Sequence, residues 1–213
     1  VNTMQENSSP LLPALFITFL LLPGWPALAA DADLLIRNAR VVDGTGSPWF
    51  VSDVAINAGR ISRVGRNLDI DADQVIDAAG KVLSPGFIDV HTHVESSDNR
   101  EGLMNLPRAD NYLLDGVTTI VTGNCGGSEI DVGDWAANLK NLGINVATLI
   151  GHNTIRREVV GLDDRTPTAD EMLQMKALVD KGMQDGAVGF STGLLYVPGT
   201  YADTSEVIAL AEV

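Results

Sequence analysis

Two histidines separated by a single residue are the first side chains in this sequence that could do chemistry. His91 and His93 stand at the end of an apolar stretch, residues 87–91, that predicts a β-strand. Side chains at positions i and i+2 of a strand point to the same face, so both imidazoles can reach one point. Neutral imidazole is a zinc ligand. Histidine pairs also occur on ordinary protein surfaces, and both interpretations stay open at this point.

The single cysteine strengthens the metal interpretation. Cys125 lies in a Gly-Asn-Cys-Gly-Gly segment that follows a second predicted strand at residues 118–122. Glycines there let the backbone turn sharply. A lone cysteine is often just a small buried thiol. However, a thiolate and two imidazoles at neighbouring strand ends favour a shared zinc site over magnesium or calcium.

Three further side chains follow the next two predicted strands, at residues 145–150 and 187–191. We interpret His152, Arg156 and Tyr196 as candidate substrate contacts. His152 could polarise a carbonyl or fix its loop through the backbone. The planar fork of Arg156 suits a substrate carboxylate, although a solvated arginine is the simpler alternative. Tyr196 lies on a Gly/Pro-rich loop that either lines a pocket or packs over the rim of the fold.

These strands alternate with helical stretches, which predicts an α/β fold with a parallel sheet and right-handed crossovers. A doubly wound sheet and half of a TIM-like (β/α)8 barrel both fit. A barrel takes roughly 250 residues, and the last helix, capped at 203–206, is still running at Val213. We therefore expect residues 85–213 to be the first half of a truncated barrel, with the candidate side chains at its mouth.

Capping signals place two of the helices. Asp134 is predicted to begin a helix that carries Trp135 and Leu139 on one side. Thr168 and Glu171 have the spacing of a capping box and predict another helix start.

The segment before the barrel has a different pattern. Residues 30–84 contain short strands with turn residues between them, and residues 51–56 and 61–64 read as a hairpin. We expect this segment to form the N-terminal part of a small β-sandwich domain.

The first 29 residues resemble an export signal. An apolar run at 11–22 is followed by Ala-Leu-Ala at 27–29, which suits signal peptidase. The run is too short to span a bilayer. We therefore expect a periplasmic or secreted protein with no stable membrane span after signal removal.

The net charge of the sequence limits the classes of molecule that the protein could bind. The sequence has 14 Lys and Arg against 28 Asp and Glu, a net charge of −14, which argues against nucleic acid and anionic membranes. An acidic protein can still bind an anionic substrate where a metal supplies local positive charge. One cysteine also rules out an intrachain disulfide.

Taken together, the motifs resemble a known family. Residues 33–46 and 82–93 resemble the N-terminal β segment and the entry into the first barrel strand of the amidohydrolase superfamily. Residues 123–126, 151–156 and 189–196 resemble its N-acyl-D-amino-acid deacylase (D-aminoacylase) branch. The similarity runs from about residue 33 to the end.

The resemblance implies a zinc-dependent hydrolase of N-acyl-D-amino acids that releases a D-amino acid and a carboxylate. It maps His91 and His93 onto a weaker metal position and Cys125 onto a tight one. The remaining histidine ligands and a catalytic aspartate are implied to lie beyond Val213, so the 213-residue chain is expected to be inactive by itself. The alternatives are a dihydroorotase- or hydantoinase-like cyclic amidase, which uses a carboxylated lysine, and a non-catalytic fragment.

Overall fold

The computed structural model describes residues 31–95 and 102–213. The predicted signal peptide lies outside the described residues. The described chain divides into two compact units, residues 31–42 with 47–83 and residues 43–46 with 84–213, and each is described by itself.

The first unit is one five-stranded sheet. Its strands are β1 (Ala32–Val41), β2 (Phe50–Asn57), β3 (Arg60–Gly65), β4 (Ala72–Asp77) and β5 (Val82–Leu83). The order is β3-β2-β1-β4, with β5 also pairing with β1. The β2–β3 hairpin is antiparallel, as the sequence predicts, whereas β4 and β5 run parallel to β1. Leu35 and Ala55 are fully buried in this unit.

The second unit alternates strands and helices. It contains β6 (Phe87–Asp89), α1 (Asp110–Leu114), β7 (Val117–Thr122), α2 (Val132–Asn138), β8 (Asn145–Thr148), β9 (Ile150–Gly151), α3 (His152–Val159), α4 (Ala169–Gln184), β10 (Phe190–Ser191), a 3-10 turn (Gly199–Tyr201) and α5 (Thr204–Ala211). The mixed α/β class predicted from the sequence is therefore confirmed.

The strands of the second unit pair in parallel and follow chain order. One ladder runs β6-β7-β8, and the other pairs β9 with β10. The strand predicted at 145–150 is split because its backbone changes partner. The amide of Leu149 donates to Thr122 at 2.9 Å, while the amide of Ile150 donates to Gly189 at 2.9 Å.

Helix starts follow side-chain caps wherever the sequence offers one. The Thr168–Glu171 capping box at the start of α4 is confirmed, with both reciprocal bonds formed. The Asp134 cap is wrong: α2 is capped by Asp131, whose carboxylate accepts from the Asp134 amide at 2.9 Å. The same helix ends at Asn138, before Leu139.

Apolar residues of α3, α4, α5 and β9 form the main core of the second unit. Its fully buried members include Ile150, Ile155, Met175 and Leu210. This core fixes α3 and β9 against the long helix and so positions the segments that follow the strands. Within the described residues, the structure contains no helix with the length and apolarity needed to cross a bilayer.

Candidate metal centre

The two histidines continue the path of β6 beside β7. Between them, Thr92 is buried and its amide donates to the Val121 carbonyl at 3.1 Å. Alternation along an extended chain therefore turns both imidazoles to the opposite, exposed side. The rings of His91 and His93 meet edge to face with centroids 5.4 Å apart.

Cys125 is presented by a tight turn after β7. Gly123, Cys125 and Gly126 all have positive φ, at 80°, 55° and 78°. This left-handed conformation suits glycine but is unusual for a residue with a side chain. The Gly127 amide closes the turn on the Asn124 carbonyl at 3.0 Å. The turn brings the Cys125 Sγ to 3.4 Å from the His91 Nε2.

The geometry of the three side chains fits a metal ion. One ligand atom from each of His91, His93 and Cys125 lies within 4.8 Å of the other two. Two ligands of one tetrahedral zinc, with Zn–S of about 2.3 Å and Zn–N of about 2.0–2.1 Å, stand roughly 3.3–3.6 Å apart. Imidazole with thiolate is a donor set for zinc, because magnesium and calcium take oxygen ligands. The donor set therefore suits zinc, and the 3.4 Å between the Cys125 Sγ and the His91 Nε2 falls within this ligand spacing.

Asn124 joins the two strand ends that carry these side chains. Its amide nitrogen lies 3.0 Å from the carbonyl of Val121, 3.3 Å from that of Val90 and 3.4 Å from that of Thr92. The last two carbonyls flank His91, so Asn124 ties the histidine segment to the cysteine turn. From the sequence, Asn124 was recognisable only as part of a motif, without a predicted partner.

Glu95 is a second residue that the sequence interpretation missed. Its carboxylate is buried, accepts a hydrogen bond from the Thr122 hydroxyl, and has Oε1 3.7 Å from the His93 Nδ1. The alternation of exposed and buried residues at 91–94 ends before Glu95, since Val94 and Glu95 are both buried, so the pattern gave no signal for it.

A cavity of about 260 Å³ opens beside the candidate centre. Its lining residues are His93, Asn124, Cys125, Gly127, Asn153, Thr154, Arg157, Tyr196 and Val197. The structure thus brings the predicted substrate contact Tyr196 to the same cavity as two of the predicted metal ligands. Tyr196 is about half exposed there.

His152 and Arg156 are placed elsewhere, in a fully buried cluster around Glu206. His152 has Nε2 2.8 Å from one Glu206 oxygen and Nδ1 2.9 Å from the Thr192 hydroxyl. Arg156 donates to the other Glu206 oxygen at 2.5 Å and to the Arg165 carbonyl at 2.6 Å. The Arg156 guanidinium does bind a carboxylate, but this is the Glu206 side chain of the protein and not that of a substrate. Neither residue lines the cavity.

The surroundings of Glu206 shift its pKa. Burial by itself raises the pKa of its carboxyl, but the hydrogen bonds from His152 and Arg156 outweigh burial and the pKa is lowered. The sequence placed Glu206 only in a helix cap, since its partners lie 50 and 54 residues away.

Comparison with known proteins identifies the family. A model described as the amidohydrolase family matches residues 74–210. The chain belongs to the amidohydrolase family. The resemblance inferred from the sequence motifs is therefore confirmed.

Relatives within this family are deacylases of N-acyl-D-amino acids. The chain is 35% identical to an N-acyl-D-aspartate deacylase of Alcaligenes xylosoxydans xylosoxydans, over 86% of this chain and 41% of that protein. It matches a D-aminoacylase crystal structure with a TM-score of 0.76 and 35% identity, covering 84% of this chain and 42% of that one.

A third match carries a metal. The structure of an N-acyl-D-glutamate deacylase from Bordetella bronchiseptica, complexed with zinc and a phosphonate mimic of the tetrahedral intermediate, has a TM-score of 0.76 and 33% identity. The match covers 84% of this chain and 42% of that one. The amidohydrolase chain thus spans about two fifths of the length of these relatives.

Proposed function

We propose that this chain forms part of a zinc-dependent amidohydrolase that cleaves the amide bond of N-acyl-D-amino acids. The observation that carries the proposal is the convergence of His91, His93 and Cys125, whose ligand atoms all lie within 4.8 Å of one another. The likeness to deacylases of N-acyl-D-aspartate and N-acyl-D-glutamate supports the substrate class.

The three proposed ligands would hold the metal at the wall of the cavity. When bound, zinc supplies a water whose pKa is lowered toward 7 and polarises the amide carbonyl. The ligand trio contains no carboxylate, so another residue is needed to take a proton from the attacking water as general base and to deliver it to the leaving amine as general acid.

Two residues of the cavity are suited to contact the substrate. Tyr196 presents an exposed phenol beside Cys125. Arg157 is the cationic side chain among the described lining residues, and its one hydrogen bond there is a long one, 3.4 Å from Nη2 to the Val197 carbonyl. An exposed guanidinium suits the substrate carboxylate in a protein of net charge −14. For His152 and Arg156, substrate contact stays a prediction, and their burial favours a structural role.

The strand order supports a barrel as the setting of this site. In a (β/α)8 barrel, consecutive parallel strands lie side by side in chain order and the chemistry is at their carboxyl ends. The ladders β6-β7-β8 and β9-β10 follow chain order, and the proposed ligands stand after β6 and β7. A doubly wound sheet would instead reverse its order at a switch point.

A hydantoinase-like cyclic amidase is the alternative enzyme. Such sites depend on a carboxylated lysine, whereas no lysine is among the described residues that line this cavity. Cys125 would supply a sulfur ligand in its place. These two features favour the deacylase.

Removing the thiolate tests the proposal. In the full-length protein that carries this chain, we expect Cys125→Ala to lose most of its zinc and most hydrolysis of N-acetyl-D-amino acids, because the strongest proposed ligand is gone. Zinc is measured by inductively coupled plasma mass spectrometry, and hydrolysis by release of the free amino acid. Ser128→Ala is the control, as it truncates a side chain in the same loop without touching a proposed ligand.

The outcomes separate the alternatives. Unchanged zinc stoichiometry in Cys125→Ala would contradict the ligand assignment. A parent protein that holds zinc but hydrolyses no N-acetyl-D-amino acid would support the non-catalytic alternative, whereas turnover of cyclic amides alone would support the hydantoinase-like one.

A further inference from the structure

We propose that Ser191 is a positioning residue that holds the Cys125 turn in shape for metal binding. The inference rests on the proposed zinc site. Ser191 ends β10, 65 residues after the turn it contacts.

The hydroxyl of Ser191 bonds to the backbone on both sides of Cys125. It accepts from the Gly126 amide at 3.0 Å and donates to the Gly123 carbonyl at 2.5 Å. A serine hydroxyl has one hydrogen to donate and lone pairs to accept, so these two bonds use both capacities. Ser191 therefore links the two ends of the turn through one hydroxyl group.

The turn needs such a restraint because Cys125 has φ of 55°. For a residue with a Cβ, this left-handed conformation is disfavoured and persists only where the surroundings enforce it. A relaxed Cys125 backbone would redirect the Cα–Cβ bond and carry Sγ away from His91, from which it is now 3.4 Å distant. The hydroxyl thus acts on the metal site through the backbone of the ligand.

The position of Ser191 is itself fixed. Its strand pairs with β9, with Ser191 opposite Gly151. The next residue, Thr192, bonds through its hydroxyl to His152, which is held by Glu206. Gly193, the residue after Thr192, packs so closely that a Cβ there would stand 2.1 Å from the Cys125 carbonyl oxygen. The buried cluster around Glu206 thereby anchors the segment that holds the turn.

The test compares variants of the full-length protein by zinc affinity, measured by competition with a chromogenic chelator. We expect Ser191→Ala to weaken zinc binding by about ten-fold or more, since partners that orient a ligand typically contribute 10- to 100-fold. Ser128→Ala is the matched control, because Ser128 also accepts a backbone amide, from Gly151 at 2.9 Å, but lies outside the turn. The zinc affinity of Ser128→Ala is expected to stay within about two-fold of that of the parent protein.

A second pair isolates the hydroxyl if Ser191→Ala folds poorly. Ser191→Thr keeps the oxygen and Ser191→Val has the same shape without it, so we expect weaker zinc binding only in the valine variant. Equal affinities of the two would overturn the inference. Thermal unfolding midpoints are measured for the same variants. A purely structural role of Ser191 would lower the midpoint and leave zinc affinity unchanged, which would overturn the inference.

A metal-independent measurement separates this inference from the proposed function. Crystal structures of the metal-free parent and Ser191→Ala are expected to show Cys125 leaving the left-handed region in the variant. An unmoved turn would overturn the role of Ser191 whether or not zinc binds. A parent protein that takes up no zinc, with a turn that moves, would instead contradict the proposed function alone.

Discussion

Arg156 and Arg157 are neighbours in the sequence with opposite surroundings. Arg156 is fully buried against Glu206, whereas Arg157 is exposed and lines the cavity beside Cys125. Adjacent residues on a helix point about 100° apart, so one can face the core while the other faces solvent. The two arginines therefore distinguish a structural from a substrate-binding role.

We expect Arg156→Met to destabilise the full-length protein by about 3–5 kcal/mol, because the buried Glu206 carboxyl would keep His152 but lose its arginine partner. We expect Arg157→Met to leave stability unchanged, because the side chain is exposed. We expect the same variant to raise KM for N-acetyl-D-amino acids roughly ten-fold or more, with kcat little affected, because it loses a charged hydrogen bond that acts in substrate binding. Urea denaturation and steady-state kinetics measure the two effects. A raised KM in a stable Arg156→Met would instead support the contact predicted from the sequence.

At the level of elements, the start of α4 shows how strongly local interactions determine a helix end. Thr168 accepts from the Glu171 amide at 3.2 Å, and Glu171 accepts from the Thr168 amide at 2.7 Å. Arg165 adds a bidentate pair with the same carboxylate, at 2.7 Å for each bond. All partners lie within six residues, so the sequence was sufficient to predict this start.

These bonds make the stability of α4 dependent on pH. The hydrogen bond from Arg165, followed by that from the Thr168 backbone, lowers the pKa of Glu171 from 4.5 to about 2. A carboxyl with a lowered folded-state pKa stabilises the fold above its unfolded pKa and loses that contribution as pH falls through the folded value. The contribution of Glu171 is therefore present above about pH 4.5 and lost toward pH 2.

We expect Glu171→Gln to remove this dependence. The difference between the urea midpoints of parent and variant should be largest at neutral pH and shrink steadily from about pH 4.5 to about pH 2. Asp170→Asn, a neighbouring carboxyl on the same helix turn, serves as the control. A difference that stayed constant over this range would contradict the assigned role of Glu171.

The start of helix α3, unlike that of α4, does not depend on local side-chain interactions. It begins at His152 directly after β9, with Gly151 at its N-cap and no side chain capping it. Without a capping residue or a linker, the sequence contains no start signal, and the segment reads as a loop. Packing of Ile155 into the core of the second unit stabilises the helix instead, and that contact is not visible in local sequence.

At the scale of the whole molecule, the proposed centre draws on one compact unit. His91, His93 and Cys125 all belong to the unit of residues 43–46 and 84–213. Three protein ligands suit a catalytic zinc, which keeps a further position open for water. The relatives matched here are more than twice as long as their aligned portion.

We therefore expect the 213-residue chain by itself to bind zinc more weakly than the full-length protein and to hydrolyse N-acetyl-D-amino acids undetectably. Zinc titration and amino-acid release, compared between the two proteins at equal concentration, measure the difference. Rapid turnover by the 213-residue chain alone would show that its own residues complete the site.

The sequence by itself determined the features that depend on neighbouring positions. The spacing of His91 and His93 fixes their common face, and the glycines around Cys125 indicate its turn, because backbone alternation and φ preferences act over a few residues. The same locality explains why the capping box was predictable. It also explains why the family could be inferred from short motifs.

The tertiary structure decided which distant groups meet. Ser191 reaches the Cys125 turn across 65 residues, and Glu206 reaches His152 across 54. A single sequence does not encode such pairings in any periodic pattern, because they follow from strand order and helix packing. For the same reason only the fold revealed that Arg157 lines the cavity, while Arg156 is enclosed in the core.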